Sequence, residues 1–169
     1  YFNDIFQAMP KDGYTKLFER LLKGIEVRLN TSFREVKNKI MYKELIYTGP
    51  IDEFFNYKFG RLPYRSLKFK FETYNKEFYQ DWVQINYPNN YKFTRIVEIK
   101  HVTGQKIPRT TIVKEYPCPR GESFYPFPAP EAQQLYLKYK KETEKLKNVY
   151  FIGRLAEYKY LNMDQVVKR

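Results

Sequence analysis

The stretch from residue 151 to residue 164, FIGRLAEYKYLNMD, contains the most informative pattern in the chain. It continues an apolar run at 149–152 that is typical of a short buried strand. Gly153 allows close approach of the backbone, and Arg154 offers a planar set of donors that suits a diphosphate. Asn162 and Asp164 are residue types that begin helices, whose first N–H groups attract anions. The spacing alone also fits a strand, a loop and a terminal helix with one solvated arginine.

Four segments in the middle of the chain have the pattern of antiparallel strands. They are residues 64–73, 82–87, 94–102 and 110–116, separated by turns that contain Asn, Gly or Pro. Leu67, Phe69 and Phe71 alternate with polar residues, so we expect them on the core face of a sheet whose other face is wet.

Helical spacing predicts a helix on each side of these strands. The first covers 13–24, with Asp12 at its start and Gly24 at its end. The second begins at Pro130 and continues to about Lys147. Residues 25–29 and 45–48 have the pattern of short strands that lie against a parallel sheet.

The composition limits the class of protein. A chain of 169 residues can form one ordinary domain with a core. It begins at Tyr1 without a start methionine, a signal peptide or a membrane-length apolar run, so we expect a piece of a longer protein. The net charge of +12 fits a nucleic-acid or anionic partner, or a basic segment whose acidic counterpart lies elsewhere in the longer protein. A single cysteine, Cys118, fits a reducing, cytoplasmic compartment.

Several kinds of site are excluded by counting. No two glycines have the spacing Gly-x-Gly, so neither a dinucleotide fingerprint nor a phosphate-binding Walker loop is present. One histidine, His101, and one cysteine cannot make a structural zinc site within this chain. We expect His101 to be packed or solvated, and Cys118 to be structural or an exposed thiol.

Arg95 is the most interesting single residue of the predicted strands. Alternation over 94–102 places it with Val97, Ile99 and His101, on the more apolar face. An arginine directed at a core or cleft needs an anionic or carbonyl partner, because an unpaired buried charge is costly. That partner is either a ligand or a carboxylate such as Glu98 from a neighbouring strand; the remaining alternative is that alternation assigns Arg95 to the wrong face.

A set of short motifs resembles the UDP-galactopyranose mutase family over essentially the whole chain. Residues 151–164 resemble its flavin-contacting signature, Gly-Gly-Arg-Leu-(x)-(x)-Tyr-(x)-Tyr-(x)-Asp-Met. The other matching motifs follow in the family's order and are Tyr47-Thr48-Gly49-Pro50-Ile51-Asp52-Glu53-Phe54-Phe55, Phe59-Gly60, Tyr64-Arg65-Ser66-Leu67, Thr94-Arg95-Ile96-Val97-Glu98, Lys114-Glu115-Tyr116-Pro117, Gly121-Glu122 and Tyr125-Pro126.

The resemblance implies a role for each matched position. Arg95 is implied to be catalytic, beside the flavin and the substrate phosphates. The implied substrate contacts are Tyr1, Phe2, Asn86, Arg95, Tyr125 and Tyr160. The implied FAD contacts are Gly153, Arg154, Tyr160, Asn162 and Met163. No metal site is implied.

The resemblance also implies the architecture and the reaction. It predicts an α+β fold in which an antiparallel-sheet substrate domain, 51–128, is flanked by pieces of an α/β, Rossmann-like FAD-binding domain, 1–50 and 129–169. In this family reduced FAD provides the nucleophile that isomerises UDP-galactopyranose to UDP-galactofuranose for cell-surface polysaccharides. The glycine-rich FAD loop would lie in the missing N-terminal half, so we expect the chain alone to be inactive.

Three departures from the family pattern affect the flavin side of this prediction. Asn162 replaces an aspartate, Asp12 replaces the first glycine of a Gly-Gly-Tyr-Thr motif, and Ile152 replaces the first glycine of Gly-Gly-Arg. Asparagine keeps an acceptor oxygen, so the local hydrogen bonding can survive the change at position 162.

An alternative hypothesis is a single-stranded nucleic-acid binding module. Aromatic residues among lysines could stack on bases, and the candidates are Tyr64, Phe69, Phe71, Tyr74, Tyr87 and Tyr91. No RRM, KH or cold-shock motif accompanies them, so the mutase hypothesis is preferred. Exposed apolar edges of the incomplete FAD domain could also drive formation of a homodimer.

Overall fold

A computed structural model describes residues 5–6 and 8–169. Within this range the chain divides into two compact units, each assembled from two separate stretches of sequence. The first unit contains the described residues up to 32 together with 69–116, and the second contains 33–68 together with 117–169. None of the helices in this part of the chain combines the length and the apolar character needed to cross a bilayer.

Helices and strands alternate irregularly along the described chain. The helices are α1 (Gly13–Leu21), α2 (Phe33–Val36), α3 (Ile51–Phe54), α4 (Lys100–Thr103), α5 (Pro130–Thr143) and α6 (Met163–Val167). The strands are β1 (Leu45–Tyr47), β2 (Tyr64–Tyr74), β3 (Gln84–Asn86), β4 (Arg95–Val97), β5 (Thr110–Cys118), β6 (Tyr125–Pro126) and β7 (Val149–Phe151). Five strands form a sheet in the order β3-β4-β5-β2-β6, with antiparallel pairing, which confirms the predicted mixed fold with an antiparallel sheet.

The first unit is built on β3, β4 and β5. Ile96 and Ile112 are buried in this sheet. The strand predicted at 94–102 is correct only as far as Val97, because the chain then turns into α4. The turn is held by the buried carboxylate of Glu98, which accepts hydrogen bonds from the N–H groups of Tyr79 and Gln80. Strand alternation therefore does not extend to His101.

Helix α1 begins where the sequence predicts, and its regular part ends three residues before Gly24, which has the left-handed φ of 82°. The Asp12 carboxylate does not cap the helix; it pairs with Arg20 at 3.0 Å. No residue of α1 is buried among the described residues. The strand predicted at 25–29 is wrong, because the segment contains a bend and a turn and pairs with no strand in the described part of the chain.

The core of the second unit lies beneath a parallel pair of strands, β1 and β7. The Phe54 ring packs edge-on against those of Phe151 and Tyr47, with centroids 4.8 and 5.0 Å apart. Helix α5 adds Tyr139, whose buried hydroxyl donates to the Gly60 carbonyl at 2.6 Å. The strands predicted at 45–48 and near 149–152 are confirmed, as is the helix that begins at Pro130, although it ends at Thr143.

Strand β2 is the longest strand and pairs with β6 through its first residues. The alternation of Leu67, Phe69 and Phe71 predicts a buried face, but Phe71 is 68% exposed and Phe69 is 44% exposed. On the opposite side of the strand, Ser66 is buried. The prediction that these phenylalanines are core residues is wrong here. Alternation determines which side chains share a face of the strand. Whether that face is buried depends on a second layer of residues from elsewhere in the chain.

Candidate functional site

The segment after β7 makes the strand-to-helix transition that the sequence predicts. Gly153 has a φ of 100°, in the region that favours glycine, and its N–H donates to the Glu157 carboxylate at 2.9 Å. Asn162 lies immediately before α6, and its N–H donates to the Gln165 side chain at 2.8 Å. The residues between Gly153 and α6 therefore form an ordered loop.

The Arg154 side chain is partly buried. Both the N–H groups of its guanidinium and its flat faces have partners in the protein. Its Nε and Nη2 donate to the Leu161 carbonyl at 3.2 and 2.8 Å. Its guanidinium carbon lies 4.7 Å from the centroid of the Tyr125 ring and 4.4 Å from that of Tyr160. The alternative prediction of a single solvated arginine is wrong, because cation–π contacts and two hydrogen bonds hold this side chain.

Tyr125 and Tyr160 come together from distant parts of the sequence. Tyr125 lies on β6, opposite Arg65 of β2. Its ring is stacked on that of Tyr160 with centroids 5.8 Å apart and 7° between the planes. We call Tyr125, Arg154 and Tyr160 the arginine–tyrosine cluster. It brings together three of the residues that the sequence resemblance singled out.

The arginine–tyrosine cluster has polar groups that are available to a ligand. Tyr160 is 62% exposed. Neither tyrosine hydroxyl, nor Nη1 of Arg154, has a hydrogen bond among the described residues. A guanidinium with free donors beside two phenolic hydroxyls has the chemistry of a phosphate or diphosphate site.

Two further residues implied to contact a cofactor lie at the start of α6. Asn162 and Met163 are both exposed, with Met163 at 62%. They follow Leu161, whose carbonyl holds Arg154. The structure therefore places Gly153, Arg154, Tyr160, Asn162 and Met163 on one continuous segment of the second unit.

Tyr158 does not lie where the sequence suggests. Alternation along an extended segment puts it on the same side as Arg154 and Tyr160. In the structure Tyr158 has a φ of 46° and is buried, whereas Tyr160 is exposed. Burial raises the pKa of the Tyr158 hydroxyl, which therefore remains a hydrogen-bond donor at neutral pH. The two tyrosines consequently have different environments.

In the first unit, Arg95 and Asn86 are direct partners across the β3–β4 ladder. Arg95 does not lie on the buried face of β4, because the buried residues there are Ile96 and Glu98. The prediction of a core-directed Arg95 is therefore wrong. The prediction of Glu98 as its partner is also wrong, and the chain leaves strand geometry after Val97.

Glu115 of β5 is the carboxylate that Arg95 meets. Its Oε2 lies 3.2 Å from Arg95 Nε, and Gln84 Oε1 lies 3.4 Å from Arg95 Nη1. The Nε–H is not aimed at the carboxylate, so Nε is a buried donor without a hydrogen bond in the described residues. Arg95 thus combines an ion pair to Glu115 with a buried donor that makes no hydrogen bond in the described residues.

Glu98 and His101 form a structural network beside β4. Burial raises the pKa of Glu98, but hydrogen bonds from Thr110, Tyr79 and Gln80 outweigh it, so the pKa is lowered and the group is a carboxylate. His101 stacks on Phe78 at 4.6 Å, and its Nε2 lies 2.8 Å from the Gln80 carbonyl. His101 is therefore packed, as expected.

Clefts in the second unit are lined by other residues. One, of about 490 Å³, is lined by residues that include Asp52, Arg61 and Arg120. Another, of about 450 Å³, lies against β7 and includes Glu157 and Arg169. Neither of these linings includes Tyr125, Arg154 or Tyr160.

Two predicted substrate contacts and one lone thiol complete the comparison with the sequence. Tyr1 and Phe2 lie outside the described residues. Cys118 is partly exposed, and its Sγ lies 2.7 Å from the Arg120 carbonyl.

The sequence analysis missed Glu115 as the partner of Arg95. Its position in a predicted strand beside that of Arg95 was visible, but the strand register was not.

Comparisons with known proteins agree on one family. A family model described as UDP-galactopyranose mutase matches residues 1–160. A UDP-galactopyranose mutase of Mycoplasma genitalium is 37% identical over 99% of this chain and 46% of its own length. A probable UDP-galactopyranose mutase of Klebsiella pneumoniae is 36% identical over 99% of this chain and 45% of its own length.

A third relative bears a different substrate name. A dTDP-fucopyranose mutase of Escherichia coli is 33% identical over 99% of this chain and 48% of its own length. The chain thus spans about half the length of the curated relatives it matches.

Proposed function

Because the chain belongs to the UDP-galactopyranose mutase family, we propose that it supplies part of the active site of a flavin-dependent isomerase. The reaction interconverts UDP-galactopyranose and UDP-galactofuranose. The observation that carries the proposal is the arginine–tyrosine cluster, in which Arg154 contacts the stacked rings of Tyr125 and Tyr160. These residues come from the two matched motifs that lie farthest along the chain.

The cluster is suited to the diphosphate that both substrate and cofactor contain. The hydroxyls of Tyr125 and Tyr160 would donate to the phosphates of the UDP group, and Arg154 would hold the pyrophosphate of FAD. Arginine is favoured at such sites because its donors are planar, permanently charged and weakly hydrated. The stacked rings limit the orientations that Arg154 can adopt, which lowers the entropic cost of binding.

The residues near Arg154 also fit the rest of a flavin. Gly153, with its positive φ, lies in the buried part of this segment, and Asn162 and Met163, farther along it, are exposed. When bound, reduced FAD would supply the nucleophile for the anomeric carbon of the sugar. The chain's own share is to hold the diphosphates and to exclude alternative orientations of the ligand.

Arg95 is proposed as the catalytic residue of the first unit. Its guanidinium would stabilise the negative charge that develops on the departing UDP. Asn86, its partner in the ladder, would contact the substrate from the adjacent strand. The Arg95 side chain is 39% exposed, and its Nη2 has no hydrogen bond in the described residues, which supports this assignment because an approaching phosphate needs such a donor.

The proposal includes a division into functional regions whose boundaries differ from those of the two compact units. Residues 1–50 and 129–169 would belong to an FAD-binding, Rossmann-like domain, and residues 51–128 to the antiparallel-sheet domain. The parallel pair of β1 and β7, with α5 between them in the chain and packed in the core, is the kind of unit from which such a domain is built. A cytoplasmic location and a role in polysaccharide synthesis accompany this proposal.

The nucleic-acid hypothesis has no support from the comparisons, and three of its aromatic candidates have partners within the protein. The Tyr64 hydroxyl contacts Asp52 and the Leu155 carbonyl, each at 3.3 Å. The rings of Tyr87 and Tyr91 pack edge-on against each other at 4.9 Å. Aromatic side chains that are engaged in this way do not form an open surface for stacked bases.

Turnover of UDP-galactofuranose tests the proposal. The protein to use is a chimaera in which this chain follows the part of the Mycoplasma genitalium relative that precedes its matched region. With dithionite-reduced FAD, the chimaera is expected to produce UDP-galactopyranose, detected by anion-exchange chromatography. The chain alone is expected to produce none. A folded, flavin-containing chimaera without turnover would contradict the proposal.

A further inference from the structure

Tyr158 has an unusual backbone conformation, and its side chain is buried although it lies in the loop between β7 and α6. Its φ of 46° is uncommon for a bulky side chain, and such conformations persist only where surrounding contacts enforce them. It is 5% exposed, although Lys159 and Tyr160, which follow it, are exposed. The loop is therefore bent so that the Tyr158 side chain, like those of Ala156 and Leu161, is buried.

The Tyr158 hydroxyl joins two strands at the point where their ladder ends. It lies 2.6 Å from the Pro63 carbonyl and 3.1 Å from the Phe127 carbonyl. The Phe127 nitrogen lies 3.3 Å from the Tyr158 hydroxyl oxygen and 3.1 Å from the Pro63 carbonyl oxygen. Pro63 immediately precedes β2 and Phe127 immediately follows β6. One hydroxyl thus contacts both strands.

These contacts lie next to the arginine–tyrosine cluster. Phe127 is two residues after Tyr125, and Tyr158 is two residues before Tyr160. The one hydroxyl hydrogen of Tyr158 has its shorter contact with the Pro63 carbonyl, and the hydroxyl oxygen accepts from the Phe127 N–H. The hydroxyl therefore connects the two segments that carry the stacked rings. Arg154, held by Leu161, lies on the same loop as Tyr158.

We propose that Tyr158 is a positioning residue for the diphosphate site. Its hydroxyl fixes β6 against the 153–162 loop and so holds Tyr125 and Tyr160 in their stacked arrangement beside Arg154. The consequence for ligand binding rests on the proposed function, whereas the effect on the Tyr125–Tyr160 stack does not.

The ring of Tyr158 has a separate packing role. It lies edge-on to Tyr64 at 5.4 Å and is stacked on Tyr136 at 5.7 Å. Phenylalanine keeps these contacts and removes only the hydroxyl, so Tyr158→Phe separates positioning from packing. Tyr136→Phe is a matched control, because it removes a hydroxyl from the neighbouring ring, and the described residues offer that hydroxyl no hydrogen bond.

Two measurements test the proposal. The first is the nuclear Overhauser contact between the Tyr125 and Tyr160 rings in this chain, with and without the substitution. The second is the dissociation constant of the chimaera for UDP, by isothermal titration calorimetry. We expect Tyr158→Phe to weaken the ring-to-ring contact and to raise the dissociation constant about three- to tenfold. Tyr136→Phe should change neither.

Rescue distinguishes the hydroxyl from a general loss of stability. Replacement of Tyr158 by p-aminophenylalanine restores a donor to the two carbonyls and is expected to recover the affinity for UDP. An unchanged ring contact and unchanged UDP affinity in Tyr158→Phe, with only a lower unfolding midpoint, would overturn the proposal. If the unsubstituted chimaera does not bind UDP, the proposed function fails, and the ring contact alone decides the positioning role.

Discussion

The ring planes of Tyr125 and Tyr160 lie within 7° of parallel, with centroids 5.8 Å apart, and Arg154 contacts both rings. Tyr125 belongs to a two-stranded segment of the antiparallel sheet, whereas Tyr160 follows the parallel strand β7. The contact therefore joins a residue proposed for the sheet domain to a residue proposed for the flavin domain, within one compact unit.

Arg154→Lys is expected to weaken FAD binding in the chimaera about 10- to 100-fold, because lysine keeps the charge but loses the planar donors. Flavin fluorescence after gel filtration measures the bound fraction. Arg61→Lys is the matched control, since Arg61 also lies on a tyrosine ring, 3.8 Å from the centroid of Tyr57. Equal flavin loss in the two variants would argue against a specific role for Arg154.

Arg95→Lys is expected to lower kcat about 100-fold and to leave flavin content unchanged, because Arg95 is proposed to act on the departing diphosphate. Steady-state kinetics with UDP-galactofuranose measures the effect. Arg109→Lys, at an exposed arginine of the same unit, serves as the control. A change confined to KM would indicate a role in binding and not in the chemical step.

Particular residues show how far the sequence predicts this structure. The apolar runs that form β1 and β7, and Pro130 at the start of α5, identify local elements because their signals are local. Phe71 and the strand predicted at 25–29 do not follow their patterns, because burial and pairing depend on partners elsewhere. A partner strand cannot be read from the segment itself.

The residues of the candidate site also differ in whether a local sequence signal identifies them. Gly153 and Arg154 have local signals, in a glycine and an arginine directly after an apolar strand, and the structure joins them to Tyr125 and Tyr160. The partnership of Arg95 with Glu115 depends on strand register, and the burial of Tyr158 depends on a positive φ. Neither feature has a clear signature in a single sequence.

Gly153→Ala is expected to reduce flavin occupancy of the chimaera and to lower the free energy of unfolding by about 1–3 kcal/mol. The φ of 100° disfavours alanine, although the added Cβ would make only an ordinary 3.8 Å contact with Val166. Gly104→Ala imposes similar backbone strain, at a φ of 64°, in open space and in the other unit. Urea unfolding and the absorbance ratio of flavin to protein give the two readouts. Full flavin occupancy in Gly153→Ala would show that the cofactor does not approach this backbone.

Asp52→Asn is expected to change the pH dependence of stability. Burial raises the pKa of Asp52, and hydrogen bonds from the Leu62 N–H and the Tyr64 hydroxyl only partly oppose this. The folded protein therefore binds this proton more tightly than the unfolded chain does. Ionisation of Asp52 therefore destabilises the folded protein. This loss of stability is absent below the pKa of the residue in the unfolded chain and grows as the pH rises through its pKa in the folded protein.

Urea unfolding at about pH 4 and about pH 7 measures this effect, because the unfolded pKa of aspartate is about 3.9. Relative to Asp52→Asn, the unsubstituted chain should be less stable at the higher pH than at the lower. Asp81→Asn, at an exposed aspartate, should show no such trend. A difference between Asp52→Asn and the unsubstituted chain that does not vary with pH would contradict the raised pKa.

The visible absorption spectrum of the purified chain, recorded beside that of the chimaera, tests most directly whether these residues form part of a flavin site. The visible absorption band of bound flavin is expected only in the chimaera, because Gly153, Arg154 and Met163 supply only part of the contacts. A folded chimaera that contains no flavin, even after incubation with FAD, would contradict the proposed role of the arginine–tyrosine cluster.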